Sequence, residues 1–243
     1  MKAIPGLVRH LATALLLCTG IDCALGQTPV GGCGSLTNHY GPFDYRTERT
    51  GRLRIVEGAH FTPEVEAVIR GHTSAYVGDD LSFTLRTSPN HHRALLAAVR
   101  LGERTKSPQP PHLEFSIECY FDRAIRFQPD DTVVRSLYAQ YLGKSGRAAE
   151  AAKQLQTATA LAKDNPLTHY NIGLVYFELK DYDHALAQAH KAAELGYVRP
   201  ELPDRLKQVG KWQEPSLPAS AASAASASSA ASAAPSSAAS ATQ

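Results

Sequence analysis

An all-α fold, a solenoid of stacked helical hairpins, is predicted for this chain of 243 residues. From residue 89 onward, apolar residues recur at the spacing of an amphipathic helix. The joints between these segments are short and rich in Gly, Ser, Asp or Lys, so consecutive helices must lie antiparallel. Similar residues also return after 34 positions, which indicates a repeated hairpin. We expect about three hairpins followed by a capping helix.

The first 26 residues have the pattern of a secretory signal. Lys2 and Arg9 give a positive start, residues 11–18 form a short apolar run, and residues 24–26 form a small-x-small cleavage site. A helix needs about 20 apolar residues to span a bilayer, so this run is too short for a membrane span. The pattern predicts an exported protein, periplasmic or secreted, whose mature chain has no membrane span. An uncleaved anchor and a lipoprotein are the alternatives.

Charge and cysteine content narrow the function classes further. The net charge is +2, and no basic stripe suggests a nucleic-acid partner or an anionic membrane. Beyond the first 26 residues the two cysteines are Cys33 and Cys119, and no Cys-x-x-Cys motif indicates a zinc or redox site. In an oxidising compartment the two can pair in a disulfide. The alternative is two separate small hydrophobic side chains.

Residues 27–88 are expected to form an irregular N-terminal arm. Residues 52–56 and 81–85 alternate between apolar and polar residues, as extended segments do. Between them, Thr62 and Pro63 have the pattern of an N-cap followed by a first helical residue, which predicts a short helix.

Residues 89–212 are expected to form the helical domain. A first helix begins after Ser88-Pro89, and a short helix after Pro200 is expected to cap the array. The helices between them are predicted over residues 113–127, 133–142, 148–161, 167–179 and 182–195.

Residues 213–243 are expected to form a disordered tail. From Pro215 to Gln243 the chain has no charged residue and consists almost entirely of Ala and Ser. Such a segment has too few large apolar side chains to offset the entropy lost on ordering.

Residues 166–195 closely resemble one unit of the tetratricopeptide repeat (TPR). The matching residues are Ile172, Gly173, Tyr176, Tyr182, Ala185 and Ala192. Thirty-four positions earlier, Ala139, Ala151 and Ala158 stand at equivalent places, and another step back gives Phe121, Ala124 and Pro129. The resemblance implies that the small residues let the helices of each hairpin approach closely.

In the TPR family the first helices of the hairpins line a groove that binds peptides or protein segments. The resemblance therefore implies a protein or peptide as partner, and a scaffold or adaptor rather than an enzyme. With the expected export signal, that partner is expected to be a protein or peptide of the cell envelope. The groove residues it implies are mostly aromatic, aliphatic or amide side chains, which suit an apolar or mixed peptide. They are Val133, Ser136, Leu137, Gln140, Lys144, Leu167, Tyr170, Asn171, Leu174, Phe177 and Glu178, with His92 continuing the row.

The alternative is a metal- or ligand-binding envelope protein, or an accessory subunit of an enzyme, that uses the histidines of the arm. The histidines concerned are His39, His60 and His72, together with the pair His91-His92. Adjacent histidines on a helix point about 100° apart, so this pair cannot easily share one ion. No hydrolase, zinc-protease or phosphate-loop motif occurs, so we expect no catalytic residues, no metal and no cofactor.

Overall fold

A computed structural model describes residues 32–48 and 50–215 of the chain. Within these residues it contains ten α-helices and no β-strand, which confirms the all-α prediction. The expected signal in residues 1–26 lies outside the described part, as does the expected tail beyond Pro215. In the described part, no helix is both long and apolar enough to cross a membrane.

The helices follow one another along the described chain with short connections. In order they are α1 (Arg52–His60), α2 (Pro63–Glu66), α3 (Val77–Thr87), α4 (His92–Thr105), α5 (Ile117–Phe127), α6 (Thr132–Lys144), α7 (Ala148–Ala162), α8 (Pro166–Glu178), α9 (Tyr182–Glu194) and α10 (Glu201–Gln208).

Part of the N-terminal arm is helical, so the predicted extended stretches at residues 52–56 and 81–85 were wrong, whereas the short helix predicted after Thr62 is present as α2. Residues 52–56 lie in α1, where Leu53 and Val56 are buried three positions apart and Ile55 is 67% exposed. Residues 81–85 lie in α3, where Leu81 and Leu85 are buried one helical turn apart. In a segment of only five residues, an alternating pattern can also place apolar residues three or four positions apart, as on a helix. Burial against neighbouring helices then decides whether the segment is a strand or a helix.

Side-chain caps set the beginnings of several helices. The first helix of the array begins at His92 rather than after Ser88-Pro89, because His91 is its N-cap and accepts a hydrogen bond from the Ala94 N–H. Asp131 caps α6 in the same way, accepting from two backbone N–H groups of its first turn. Ser116, Asn165 and Asp181 cap α5, α8 and α9.

The array consists of antiparallel hairpins in two layers. The helices α4, α6 and α8 are the first helices of three hairpins and contact each other in sequence, while α5, α7 and α9 are the second helices. Three residues join α6 to α7 and three join α8 to α9, whereas residues 106–116 separate α4 from α5. This longer connection is the Pro-rich insertion visible in the sequence. α10 packs on both helices of the last hairpin and covers its end.

Small residues sit where helices approach most closely. A Cβ atom added to Gly173 would lie 2.6 Å from Cδ2 of Leu202 in α10, so a larger residue at 173 would force this buried side chain of the capping helix to move. Pro129, at the end of the α5 unit, is exposed. The other residues that the repeat pattern assigns to packing are buried, namely Ile172, Gly173, Tyr176, Ala185, Ala192, Ala139, Ala151, Ala158, Phe121 and Ala124.

A disulfide between Cys33 and Cys119 ties the start of the described chain to α5. Of the two states that the sequence left open, the structure therefore has the paired one. Next to the disulfide, Arg123 is buried and its Nη1 donates hydrogen bonds to the carbonyl oxygens of Cys33 and Ser35, each at 2.8 Å. The arm is thus held to the second helix of the first hairpin by a covalent link and by charged hydrogen bonds.

Candidate peptide-binding groove

A groove runs between the first helices α6 and α8 on the face away from α7 and α9. It contains a cavity of about 270 Å³. The cavity is lined from α6 by Thr132, Val133, Ser136, Leu137 and Gln140, and from α8 by Thr168, Asn171, Leu174, Val175 and Glu178. These positions recur every three or four residues, so each helix turns one face towards the groove.

The floor of the cavity is aliphatic and its rim is polar. Leu137 and Leu174 are half-buried, while Val133 is 42% exposed at one end. Gln140 and Glu178 meet across the groove, where Nε2–H of Gln140 donates to Oε2 of Glu178 at 3.1 Å. A site with an aliphatic floor and a few oriented polar groups is typical of pockets that bind side chains of a partner.

The groove continues beyond this cavity. Gln140 and Glu178 also line a second cavity of about 510 Å³, which extends towards the hairpin tips past Lys144 and Lys180. A third cavity of about 300 Å³ lies between α4 and α6 and shares Lys144 with the second. There Nζ of Lys144 lies 2.7 Å from Oε1 of Glu103. The three cavities are therefore neighbours, since each shares at least one lining residue with the next, and the second also reaches Ala148 and Ala152 of α7.

Eight of the predicted groove residues line these cavities, whereas Leu167 lies outside them; the eight are Val133, Ser136, Leu137, Gln140, Lys144, Asn171, Leu174 and Glu178. Asn171 and Leu174 face the first cavity, Gln140 lies between the first and second, and Lys144 lies between the second and third. The sequence interpretation missed Thr168 and Val175. The signal that could have found them is their spacing, because they stand three positions before and four positions after Asn171 on the same helical face.

Tyr170 and Phe177 do not line the groove, so their prediction as groove residues was wrong. Tyr170 is buried, its hydroxyl accepts a hydrogen bond from the Leu202 N–H at 3.2 Å, and burial raises its pKa. The ring of Phe177 is half-buried, 5.3 Å from the ring of Tyr182. Tyr170 belongs to the core of the last hairpin and Phe177 packs against that core, because α10 lies against this side of α8.

His92, predicted as a further groove residue, is engaged at the junction between α4 and α6. Its Nε2 lies 2.8 Å from Oδ2 of Asp131, the buried N-cap of α6. Asn90 completes this junction, because its amide donates to Asp131 at 2.9 Å and to Asp44 of the arm at 2.7 Å. His92 therefore bridges α4 and α6, and it does not line the cavity between α6 and α8.

The other histidines of the alternative site are also held apart. His60 lies 2.8 Å from Asp80, and His91 lies 3.0 Å from Glu57. Because Nδ1 of His91 accepts from the backbone of α4, its Nε2–H donates to Glu57, and burial lowers the pKa of this histidine. Among the residues that the structure describes, no three His, Cys, Asp or Glu side chains converge as metal ligands.

Antiparallel hairpins with cavities between their first helices define the class of this protein as a helical-repeat protein. A family model described as a TPR repeat matches residues 142–180. This range covers the end of α6, all of α7 and α8, and the short joints between these helices. The chain therefore carries a TPR repeat over these residues. Neither a curated protein nor a solved structure matches the chain significantly.

Proposed function

We propose that this protein is a non-catalytic scaffold of the cell envelope that binds a peptide or protein segment in the groove between α6 and α8. TPR repeats are protein-interaction modules, and the chain carries one that includes both helices α7 and α8. The observation that carries the proposal is the groove itself, with its floor of Leu137 and Leu174 and its polar rim.

The chemistry of the groove favours binding over reaction. The Ser136 hydroxyl is engaged, because it donates to the Thr132 carbonyl at 2.8 Å. The amides of Gln140 and Asn171 are groups that align a peptide backbone through hydrogen bonds. Apolar contacts and neutral hydrogen bonds of this kind give affinity without activating a bond for cleavage.

Two features support an envelope location. The first 26 residues have the composition of an export signal. The Cys33–Cys119 disulfide is a bond that persists in oxidising compartments and is rare in the reducing cytosol. The partner is then another envelope protein, or a segment of one.

The proposal is tested by crosslinking and affinity capture from the envelope fraction of the native cell. Val133→Glu places a charge at the open end of the groove without removing a buried side chain, so the variant should stay folded. Val198→Glu is the matched control, because Val198 is 80% exposed and lies in the connection after α9.

We expect the wild type and Val198→Glu to capture the same partner, and Val133→Glu to lose it while keeping its circular dichroism spectrum. Equal capture by all three proteins would place the site outside this groove.

A further inference from the structure

The geometry points to a specific kind of occupant for this groove: a segment that carries a lysine or arginine next to an aliphatic side chain. This inference rests on the proposed function and adds the chemistry of the partner. It is drawn from the charged side chains that line the first cavity and the adjacent one.

Glu178 gives the first cavity a negative end. Among the described residues, it is the one ionisable side chain that lines this cavity, and it is exposed. It accepts a hydrogen bond from the neutral amide of Gln140, and within residues 32–48 and 50–215 no cation forms a salt bridge with it. A cationic group of the occupant would supply the missing charge.

The ionisable groups near Glu178 do not fill this role. Lys144, which lines the adjacent cavity, is paired with Glu103 across the α4–α6 boundary at 2.7 Å. Asp181, also in the adjacent cavity, is paired with His184 at 2.8 Å. Lys180 lines the adjacent cavity but not the one that holds Leu137 and Leu174.

A basic side chain next to an aliphatic one fits the arrangement of the walls. The aliphatic side chain would pack on Leu137 and Leu174, and the charged head would reach Glu178 at the end of the same cavity. The methylene stems of Lys and Arg pack on apolar walls while their charged heads remain in water. Because Glu178 is exposed, the gain from the ion pair is modest, about fivefold in affinity at low salt.

The test uses a randomised peptide library displayed on phage and selected separately on the wild type and on Glu178→Gln. The introduced glutamine keeps the shape of the side chain and an oxygen that accepts from Gln140, so the substitution removes charge with little change in packing. The matched control is Glu194→Gln, which removes an exposed carboxylate from α9, outside the groove.

On the wild type and on Glu194→Gln, we expect selected peptides to be enriched in Lys or Arg beside an aliphatic residue. The best such peptide should bind the wild type about fivefold more tightly than the same peptide with its basic residue changed to glutamine. This ratio of the two affinities should approach one on Glu178→Gln, and also on the wild type at high salt. A ratio that is unchanged by Glu178→Gln overturns the inference.

The same selection separates this inference from the proposed function. Val133→Lys, which adds a positive charge to the same cavity, separates the two claims. If selected peptides lose binding on Val133→Lys yet show no preference for basic residues, the groove binds peptides and only the charge inference fails. If no peptide is selected on the wild type, or if Val133→Lys binds the selected peptides unchanged, both the inference and the proposed function fail.

Discussion

The contact between Gly173 and the capping helix gives a sharp prediction about stability. In an open helix, Gly→Ala stabilises by about 1 kcal/mol. A methyl group at 173 would lie 2.6 Å from Cδ2 of Leu202 and 3.1 Å from Cβ of Gln188, so two neighbours must move. Overpacking of this kind costs about 1–3 kcal/mol. We therefore expect Gly173→Ala to lower the free energy of unfolding by about 1 kcal/mol net of the helical gain.

A double-mutant cycle assigns this cost to its cause. Leu202→Ala removes a fully buried side chain and should cost about 2–5 kcal/mol by itself. It also removes the atom closest to the new methyl group, so the double variant should be more stable than the sum of the single effects, by about 1 kcal/mol. Gly58→Ala in α1 is the control, since a Cβ there meets nothing within 4 Å and should stabilise by about 0.5–1 kcal/mol.

Urea unfolding followed by far-UV circular dichroism measures all four variants. Two results would refute the close packing of α10 against Gly173. One is that Gly173→Ala stabilises the protein as much as Gly58→Ala does. The other is that the changes in unfolding free energy of Gly173→Ala and Leu202→Ala simply add in the double variant.

Three further predictions follow from single contacts. Tyr170→Phe should lower the free energy of unfolding by about 1–3 kcal/mol, because it leaves the buried Leu202 N–H without its acceptor, and a loss of partner capture with unchanged stability would contradict the core position of this residue. Burial lowers the pKa of His91 below its unfolded value of about 6.5, so the folded state binds fewer protons and stability is lost as the pH falls below that value. Urea titrations should therefore show lower stability at pH 5.5 than at pH 7.5. His91→Asn should reduce this difference, and an equal pH dependence in both proteins would contradict the prediction. Cys119→Ser should lower the free energy of unfolding by about 2–5 kcal/mol and make the protein insensitive to reductant, whereas two free thiols in the mass spectrum of the wild type from its native compartment would contradict the disulfide.

The sequence predicted the repeat array well because its pattern is set by close packing within each hairpin. Ala185 and Ala192 meet their partner helix only if they are small, and the same constraint returns 34 residues earlier at Ala151 and Ala158. Such constraints are local and periodic, so they can be recognised from a single sequence.

The arm and part of the site could not be predicted in this way, because they depend on contacts between distant segments. Leu53 and Ile55 alternate like strand residues, and only the packing of α1 on α3 buries the first and exposes the second. Tyr170 stands near Asn171 on the same helix, yet the position of α10 buries the tyrosine and leaves the amide at the groove. The disulfide likewise depends on the path of the arm across α5, which spacing alone does not fix.

The central claim, that the groove between α6 and α8 holds the partner, is tested most directly by site-specific photo-crosslinking in the native cell. A photoreactive residue is placed at Asn171, which is exposed in the groove, and in a second protein at Ala193, which is exposed on α9 outside it. The account predicts a discrete crosslinked partner from position 171 that is absent from position 193. A partner that crosslinks from position 193 and not from position 171 would contradict it.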